Sequence, residues 1–250
     1  MDHRHYQARP DLLRDRVILV TGAGDGIGRT AALTCAALGA TVVLLGRTTK
    51  KLERVHDEIT AAGGRPPAIA VLDLGKAQGP AYFDLAARIA DTWGRLDGLL
   101  HNAGILGERA PLEQYDIGTW QQVLHVNLTA PFILTQILLP QLKCSPDASV
   151  VFTSSSVGRR GKAYWGAYAV SKFGIEGLAQ VLAEETRDST AIRVNCVNPG
   201  GTRTAMRRKA YPGESPTARP EPGAIMPTYL YLLGPDSRGI TGQSFDCQTS

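Results

Sequence analysis

The sequence predicts an α/β fold in which one parallel β-sheet is covered by helices on both faces. Short apolar and β-branched runs alternate with longer helix-forming stretches along most of the chain, as they do in successive βαβ units. The first of these runs breaks into a glycine-rich turn and continues as a helix-forming stretch. No internal repeat or interdomain linker interrupts the alternation, so we expect a single domain spanning residues 1–250.

The first half of the chain predicts four strands and three helices. Val17–Thr21 is short, apolar and partly β-branched, and it leads through glycines into a helix over residues 29–38 that ends at Gly39. Residues 1–13 are polar and charged and are expected to form a loose amino-terminal arm. The remaining elements are strands at 41–45, 68–72 and 96–101, and helices at 50–62 and 81–93.

The second half predicts three more strands and several helices. Residues 115–142 indicate a helix that Pro131 interrupts, and four of the 15 prolines fall in residues 211–222, which we expect to be a loop that either connects two elements or covers a site. The other elements are strands at Ser149–Thr153, 192–197 and 243–245, and helices at 168–187 and 225–233.

Composition excludes several functional classes. The net charge of +4 is mild and no reader motif accompanies it, so nucleic acid is not an expected partner. No apolar run approaches the ~20 residues of a membrane span, and the polar amino terminus lacks a signal peptide, so a cytoplasmic protein without a membrane partner is expected. The four cysteines and five histidines are scattered, which favours buried free thiols and no metal site.

The glycine-rich turn at residues 22–28 predicts a dinucleotide site. Glycines let the backbone approach a pyrophosphate, and the free N–H groups at the start of the next helix attract its charge. A glycine turn alone is weak evidence, but its place between a strand and a helix favours dinucleotide binding over a plain tight turn. The glycines concerned are Gly22, Gly24, Gly26 and Gly28.

A second candidate site lies in the predicted helix over residues 168–187. Tyr168 and Lys172 are four residues apart and share one helix face, where the ammonium group is expected to lower the pKa of the phenol. Ser155 precedes Tyr168 by thirteen residues, at the end of the fifth strand. Alone, such a Tyr/Lys pair is more often a surface pair than a catalytic one.

Together these motifs resemble the classical short-chain dehydrogenase/reductase family. The resemblance covers residues 14–246 and depends on the ordered set Thr21-Gly22-x-x-x-Gly26-x-Gly28, Asn102-Ala103-Gly104, Asn127, Ser155, Tyr168 and Lys172. Phrases such as TGAGDGIG and WGAYAVSKF look most like its bacterial YciK-type subgroup of oxidoreductases. The resemblance implies a doubly wound Rossmann fold with a seven-stranded parallel sheet in the order 3-2-1-4-5-6-7.

The resemblance also assigns catalytic roles. Tyr168 would be the general acid or base at a carbonyl oxygen, Ser155 would hydrogen-bond the same oxygen, and Lys172 would lower the pKa of Tyr168 and hold the nicotinamide ribose. Ser154 and Ser156 compete with Ser155. Asn127 would hold a water in a proton relay, or else is a helix residue of no special role.

NADP(H) is the expected cofactor, with NAD(H) as the alternative. Arg47 follows the second strand, where an acidic residue would favour NAD(H), and an arginine can bind a 2′-phosphate. Asp25 is also expected to bind the cofactor, but it opposes the choice of NADP(H) because many NADP-dependent relatives have a basic residue at this position of the glycine loop. A pair between Asp25 and Arg47 would also weaken the inference. Asp73 is expected either in the adenine pocket or as a helix N-cap. The remaining expected cofactor residues are Ile27, Leu74, Asn102, Ala103, Gly104, Tyr168, Lys172, Pro199, Gly200, Thr202 and Thr204.

The expected activity is interconversion of a carbonyl compound and an alcohol. The family resemblance implies a homotetramer or homodimer and a substrate loop, here residues 205–223. Tyr164 and Trp165 are expected to pack or to form a substrate wall. The alternatives are a catalytically silent nucleotide-binding regulator, or dehydratase or epimerase chemistry on the same fold. A basic rim would favour an anionic substrate, or else is a solvated face; its members are Arg159, Arg160, Lys162, Arg203, Arg207, Arg208 and Lys209.

Overall fold

The structure, a computed structural model, describes residues 2–215 and 217–249, and these contain one seven-stranded parallel sheet. Its strand order is β3-β2-β1-β4-β5-β6-β7, so the predicted fold class and strand order are confirmed. The strands are β1 (Val17–Thr21), β2 (Thr41–Gly46), β3 (Ala68–Val71), β4 (Gly98–His101), β5 (Ser149–Thr153), β6 (Arg193–Asn198) and β7 (Ser244–Asp246).

Eight α-helices are described, and they cover the two faces of the sheet. They are α1 (Gly26–Ala37), α2 (Thr49–Ala61), α3 (Gly79–Trp93), α4 (Ile117–Leu124), α5 (Ala130–Lys143), α6 (Gly166–Thr186), α7 (Ala205–Ala210) and α8 (Met226–Leu233). One apolar cluster joins α1, α2 and α8 to the sheet, and the other joins α3, α5 and α6 to its opposite face. Successive residues of β1 alternate between them, as Ile18 belongs to the first cluster and Leu19 to the second.

Helix α1 begins three residues earlier than the sequence indicates. The Asp25 carboxylate accepts a hydrogen bond from the Gly26 N–H at 2.8 Å, so the helix starts inside the glycine turn. This places the free N–H groups of its first turn next to the glycines that line the cleft.

The long helix predicted over residues 115–142 is instead two helices joined by a π-helical turn. The turn spans His125–Thr129 and places Asn127 in it, whereas Pro131 lies in the first turn of α5, where a missing N–H is tolerated. Among the described residues, Ile117–Lys143 is one continuous helical stretch that is long and apolar enough to cross a membrane, judged by length and composition alone. The expectation that no segment is long and apolar enough is therefore wrong. Leu134 and Leu138 of this stretch are, however, fully buried against the sheet.

The amino-terminal arm is packed rather than loose. Its His3 ring nitrogen Nδ1 lies 3.0 Å from the Thr228 hydroxyl oxygen of α8, and the Tyr6 hydroxyl donates to Asp236 at 2.8 Å. Leu13 is fully buried in the apolar cluster with α8. Apolar side chains spaced between the charged ones anchor this segment.

A buried ion cluster joins the amino-terminal ends of the strands. The Asp147 carboxylate lies 3.0 Å from Arg16, 3.1 Å from Arg193 and 3.3 Å from Arg238. The side chains of Asp147, Arg16 and Arg193 are 5%, 11% and 6% exposed, so Asp147 compensates two charges that have little access to water, whereas Arg238 is exposed. The cluster lies at the amino-terminal ends of the strands, and the functional site lies at the opposite, carboxyl-terminal ends.

Three of the four cysteines are buried free thiols, as expected, whereas Cys144 at the end of α5 is exposed. The predicted loop over residues 205–223 contains α7, because Thr204 caps that helix by accepting a hydrogen bond from the Arg207 N–H at 3.1 Å. Of the prolines predicted to lie in a loop, Pro216 lies outside the described residues.

Candidate active site

A cleft of about 640 Å³ opens at the carboxyl ends of the strands. In a doubly wound sheet this edge is the usual ligand-binding position. All but two of the predicted site residues line the cleft; the exceptions, Gly28 and Asn127, are buried beside it. The residues predicted from separate motifs therefore meet in one place.

The glycine turn is built for close approach of a ligand. Gly22 has φ +69°, and a Cβ there would lie 3.0 Å from the Ala103 Cα atom. A Cβ on Gly28 would lie 2.4 Å from the Gly22 carbonyl oxygen, which no side chain tolerates. The turn leaves the backbone bare on the cleft side, beside the first turn of α1, and so its shape and free N–H groups fit a pyrophosphate.

Asp25 pairs with Lys51 and not with Arg47. The Lys51 Nζ atom donates to Asp25 at 2.6 Å, and this lysine holds the pKa of the carboxyl below its ordinary value. Arg47 lines the cleft and has no carboxylate partner among residues 2–215 and 217–249. Thr48 and Lys51 also line this end. Neither is among the expected cofactor residues, although a basic residue one helical turn after Arg47 is a readable signal.

Three further predicted residues shape the cleft floor through contacts that involve backbone N–H groups. Asp73 accepts a hydrogen bond from the Gly75 N–H at 3.0 Å, and because α3 starts only at Gly79, the alternative that Asp73 caps this helix is wrong. The N–H groups of Asn102 and Ala103 each lie 3.0 Å from the Thr21 hydroxyl oxygen, which ties the end of β4 to the end of β1.

Tyr168 is the buried centre of the catalytic candidates. Burial raises the pKa of Tyr168 to about 12, and the nearby Ser155 hydroxyl works in the opposite direction. The Nζ atom of Lys172 lies 5.6 Å from the Tyr168 ring centre and donates its hydrogen bond to the Thr153 carbonyl at 2.7 Å. The lowering of the Tyr168 pKa by Lys172 stays a prediction. With a pKa of about 12, the phenol is protonated at neutral pH.

Lys172 is itself perturbed. It is 5% exposed, and burial lowers the pKa of its ammonium group to about 8. The nearby Cys196 and Glu176 side chains raise the same pKa and limit the shift. A buried amine with this pKa exchanges its proton readily near neutral pH, unlike an ordinary surface lysine.

Asn127 is held in place by its neighbours. In the π-helical turn its Oδ1 atom accepts from the Ile105 N–H at 2.8 Å, and its Nδ2 atom donates to the Ile105 carbonyl at 2.9 Å and to the Ser171 hydroxyl at 3.1 Å. Ser171 in turn donates to the Tyr168 carbonyl at 2.7 Å. These contacts tie the loop after β4 to the helix that carries Tyr168.

The three neighbouring serines are distinguished by their positions. Ser155 lines the cleft and lies against the Tyr168 phenol, whereas Ser156 is exposed and does not line it. Ser154 also lines the cleft, but its hydroxyl is buried without a partner among the described residues. Contact with Tyr168 favours Ser155.

The loop after β6 closes the far side of the cleft. Thr202 donates to the Pro199 carbonyl at 3.2 Å, and Gln248 donates to the same carbonyl at 2.7 Å. The carboxyl-terminal segment thus fixes the loop that brings Gly200, Thr202 and Thr204 to the cleft wall. The role of Gln248 has no signal in the sequence, because the contact joins segments far apart in the chain.

Most of the expected basic rim does not face the cleft. Arg159 pairs with Glu176 at 3.3 Å and Asp246 at 3.0 Å, and Arg203 pairs with Glu221. Of the seven residues predicted for this rim, only Arg207 lines the cleft, and it forms two hydrogen bonds with Glu214 at 2.6 and 2.7 Å. Acidic side chains therefore compensate the charges of Arg159, Arg203 and Arg207.

Trp165 forms part of the substrate-side wall, whereas Tyr164 points away. Trp165 is 8% exposed and packs with Leu106, Val157 and Tyr168, while Tyr164 is 56% exposed. The expectation that Tyr164 packs is therefore wrong, and the wall beside Tyr168 is apolar and aromatic.

Comparison with known proteins identifies this arrangement. The model of the short chain dehydrogenase family matches residues 16–215. The chain belongs to this family. It is 55% identical over 244 residues to the uncharacterized oxidoreductase YciK of Escherichia coli strain K12, covering 98% of this chain and 96% of that one. The predicted family resemblance is thus confirmed.

Two solved structures of relatives contain the cofactor. One, from Shigella flexneri 2a strain 301, is complexed with NADP; it is 54% identical with a TM-score of 0.94 and covers 96% of this chain and 100% of that chain. The other, from Escherichia coli CFT073, is complexed with NADPH; it is 55% identical with a TM-score of 0.94 and the same coverage. Both agree with the expectation of NADP(H) as the cofactor of this family member.

Proposed function

We propose that this short-chain dehydrogenase interconverts a carbonyl compound and an alcohol with NADP(H), using Tyr168 as the general acid or base. The observation that carries the proposal is the convergence of Ser155, Tyr168 and Lys172 in the cleft that the glycine turn opens. Relatives of high identity hold NADP or NADPH, which supports the cofactor.

The residues present fit such a cofactor from end to end. The glycine turn and the first turn of α1 would hold the pyrophosphate, and Arg47 with Lys51 would hold a 2′-phosphate. When bound, the cofactor supplies or accepts the hydride. The other predicted cofactor residues would complete the wall on either side, and these are Asp73, Leu74, Asn102, Ala103, Gly104, Pro199, Gly200, Thr202 and Thr204.

In reduction, Tyr168 gives its proton to the substrate oxygen. With a pKa of about 12 the phenol holds this proton at neutral pH, and Ser155 donates a second hydrogen bond to the same oxygen as negative charge develops. Lys172, with a pKa of about 8, then stabilises the phenolate and returns a proton to it. Asn127 keeps α6 and the loop after β4 in register and so positions Tyr168.

A carbonyl panel tests the proposal. Purified protein is mixed with NADPH and a set of aldehydes and ketones, and the absorbance of the reduced nicotinamide is followed. Oxidation of NADPH with formation of the alcohol supports the oxidoreductase. NADPH binding without turnover across the panel favours the nucleotide-binding regulator, and substrate conversion without net NADPH oxidation indicates dehydratase or epimerase chemistry.

The association state is proposed from the family, as a homodimer or homotetramer formed through α4–α5 and α6. The outer faces of these helices expose Phe132, Val170, Phe173 and Val181, which are each at least 45% exposed. Apolar residues exposed together on helix faces are typical of subunit interfaces. Light scattering on the purified chain gives the mass that tests this, and a monomer at every concentration contradicts it.

A further inference from the structure

Glu176 is a buried carboxylate one helical turn after Lys172. Both residues belong to α6, where side chains four residues apart share one face and have Cβ atoms about 5–6 Å apart. Lys172 is 5% exposed and Glu176 is 8% exposed. A carboxylate with so little access to water needs compensating charge, so the groups around Glu176 decide what it does to the neighbouring amine.

Arg159 compensates Glu176 only in part. Its Nε atom donates to Glu176 Oε1 at 3.3 Å, while its Nη1 atom donates to both carboxylate oxygens of Asp246 at 3.0 Å. Ser244 lies between them, because it accepts a hydrogen bond from Arg159 and donates one to Glu176 at 3.0 Å. One cation is thus shared by two carboxylates, which leaves negative charge for a second cation to compensate.

The turn that carries Ser155 brings Arg159 to this place. The turn lies so close to α6 that a Cβ on Gly158 would be 2.9 Å from both the Cβ and the carbonyl oxygen of Lys172. Arg159 is the next residue, and its side chain reaches Glu176 one helical turn further along α6. The pair therefore belongs to the same packed segment as the catalytic candidates, although neither residue lines the cleft.

The other titratable groups around Lys172 are neutral at neutral pH. Burial lowers the pKa of His101 on β4 to about 3, and it raises the pKa of the Cys196 thiol on β6 well above its ordinary value. Tyr168 keeps its proton, with a pKa of about 12, and β5 presents a backbone carbonyl. Within residues 2–215 and 217–249, Glu176 is therefore the charged group that acts on the Lys172 amine.

We infer that Glu176 is a positioning residue of the reaction: its carboxylate, fixed by its contacts with Arg159, keeps the Lys172 amine in its ammonium form at neutral pH. The inference rests on the proposed function, in which this ammonium group stabilises the Tyr168 phenolate and returns a proton to it. With Lys172 charged, two cations face two carboxylates in this region. Glu176 touches no reacting atom and acts through Lys172.

The pH dependence of reduction tests this role. Glu176→Gln keeps the length of the side chain and an oxygen that accepts hydrogen bonds, but it removes the negative charge. Lys172 should then lose its proton about one pH unit lower than in the wild type. For a carbonyl compound that the wild type reduces, kcat/KM should stay within about twofold of wild type at pH 6 and be about fivefold lower at pH 8.

Two further variants separate this role from a structural one. Arg159→Gln removes the cation from Glu176, so Lys172 should keep its proton to a higher pH and the alkaline loss of activity should begin later. This variant also serves if Glu176→Gln does not fold. Glu184→Gln changes a carboxylate of α6 that is 70% exposed, and it should leave the profile as in the wild type. Profiles of unchanged midpoint, or midpoints that move in the same direction in both test variants, overturn the inference.

Failure of this inference is distinguishable from failure of the proposed function. The NMR resonance of the Lys172 Cε atom, assigned by its loss in Lys172→Arg, reports protonation of the amine without any substrate. If its midpoint falls in Glu176→Gln and rises in Arg159→Gln while no carbonyl compound is reduced, the action of Glu176 on Lys172 is supported and the proposed function is wrong. If the midpoint is the same in all three proteins while the wild type reduces carbonyl compounds, the oxidoreductase stands and this inference is wrong.

Discussion

Replacing Arg47 with alanine should weaken NADPH binding much more than NADH binding. Arg47 follows β2 and lines the cleft, where the 2′-phosphate distinguishes the two cofactors. Lys51 lies at the same end, but Asp25 compensates its charge at 2.6 Å. Arg47 therefore supplies most of the attraction. A hydrogen bond to a charged group contributes about 1.5–3 kcal/mol, so the Kd for NADPH should rise about 10- to 150-fold.

Calorimetric titration of each cofactor measures this effect. The Kd for NADH should change less than about threefold, because a single hydrogen bond to a ribose hydroxyl contributes little net free energy. Arg54→Ala removes the same charge from α2 outside the cleft and is the matched control. An equal loss of affinity for NADPH and NADH, or a similar loss in Arg54→Ala, would refute the assignment of Arg47.

The remaining predictions concern charge at the cofactor end, the protonation of Lys172 and the stability of the sheet. Asp25→Asn keeps the helix cap and removes the carboxylate from Lys51, so titration should show NADPH binding about two- to fivefold tighter with NADH little changed; weaker NADPH binding contradicts this. Since burial lowers the pKa of Lys172 to about 8, kcat/KM for reduction should fall about tenfold per pH unit above that value, and a profile that stays flat to about pH 10 contradicts it. Asp147→Asn leaves buried arginines uncompensated, so it should lower the free energy of unfolding by about 3–5 kcal/mol, which corresponds to a fall in Tm of about 6–20 °C. Thermal unfolding measures both quantities. Asp57→Asn is the control, because the Asp57 side chain is 80% exposed, and it should change neither quantity.

The fold and the positions of the catalytic candidates could be predicted because their signals are local. The run Val17–Thr21, the glycines after it and the Tyr168–Lys172 spacing each specify a piece of backbone, and βαβ connections leave few ways to arrange the pieces. All strands and the residues at their carboxyl ends follow from this. The π-helical turn at His125–Thr129 has no comparable signal, because the sequence indicates only an interruption at Pro131.

The electrostatics of the site could not be predicted, because they depend on partners that are distant in sequence. Arg159 and Asp246 are 87 residues apart in the chain, yet they form a hydrogen bond. Arg159 was expected in the basic rim, and it does not line the cleft. Similarly, the Thr153 carbonyl takes the hydrogen bond of Lys172, and burial by surrounding residues raises the pKa of Tyr168. The four-residue spacing of Tyr168 and Lys172 places both side chains on one helix face, but it does not determine which other groups each side chain contacts.

Tyr168→Phe is the most direct test of whether Tyr168 transfers the proton in a reaction that consumes NADPH. For a carbonyl compound that the wild type reduces, the turnover number and the Kd for NADPH are measured in both proteins. We expect a loss of turnover of about 100-fold or more, because general acid catalysis contributes about that factor. The Kd for NADPH should stay within about threefold of wild type, because the ring still lines the cleft. Turnover within tenfold of wild type with intact NADPH binding would contradict proton transfer by Tyr168.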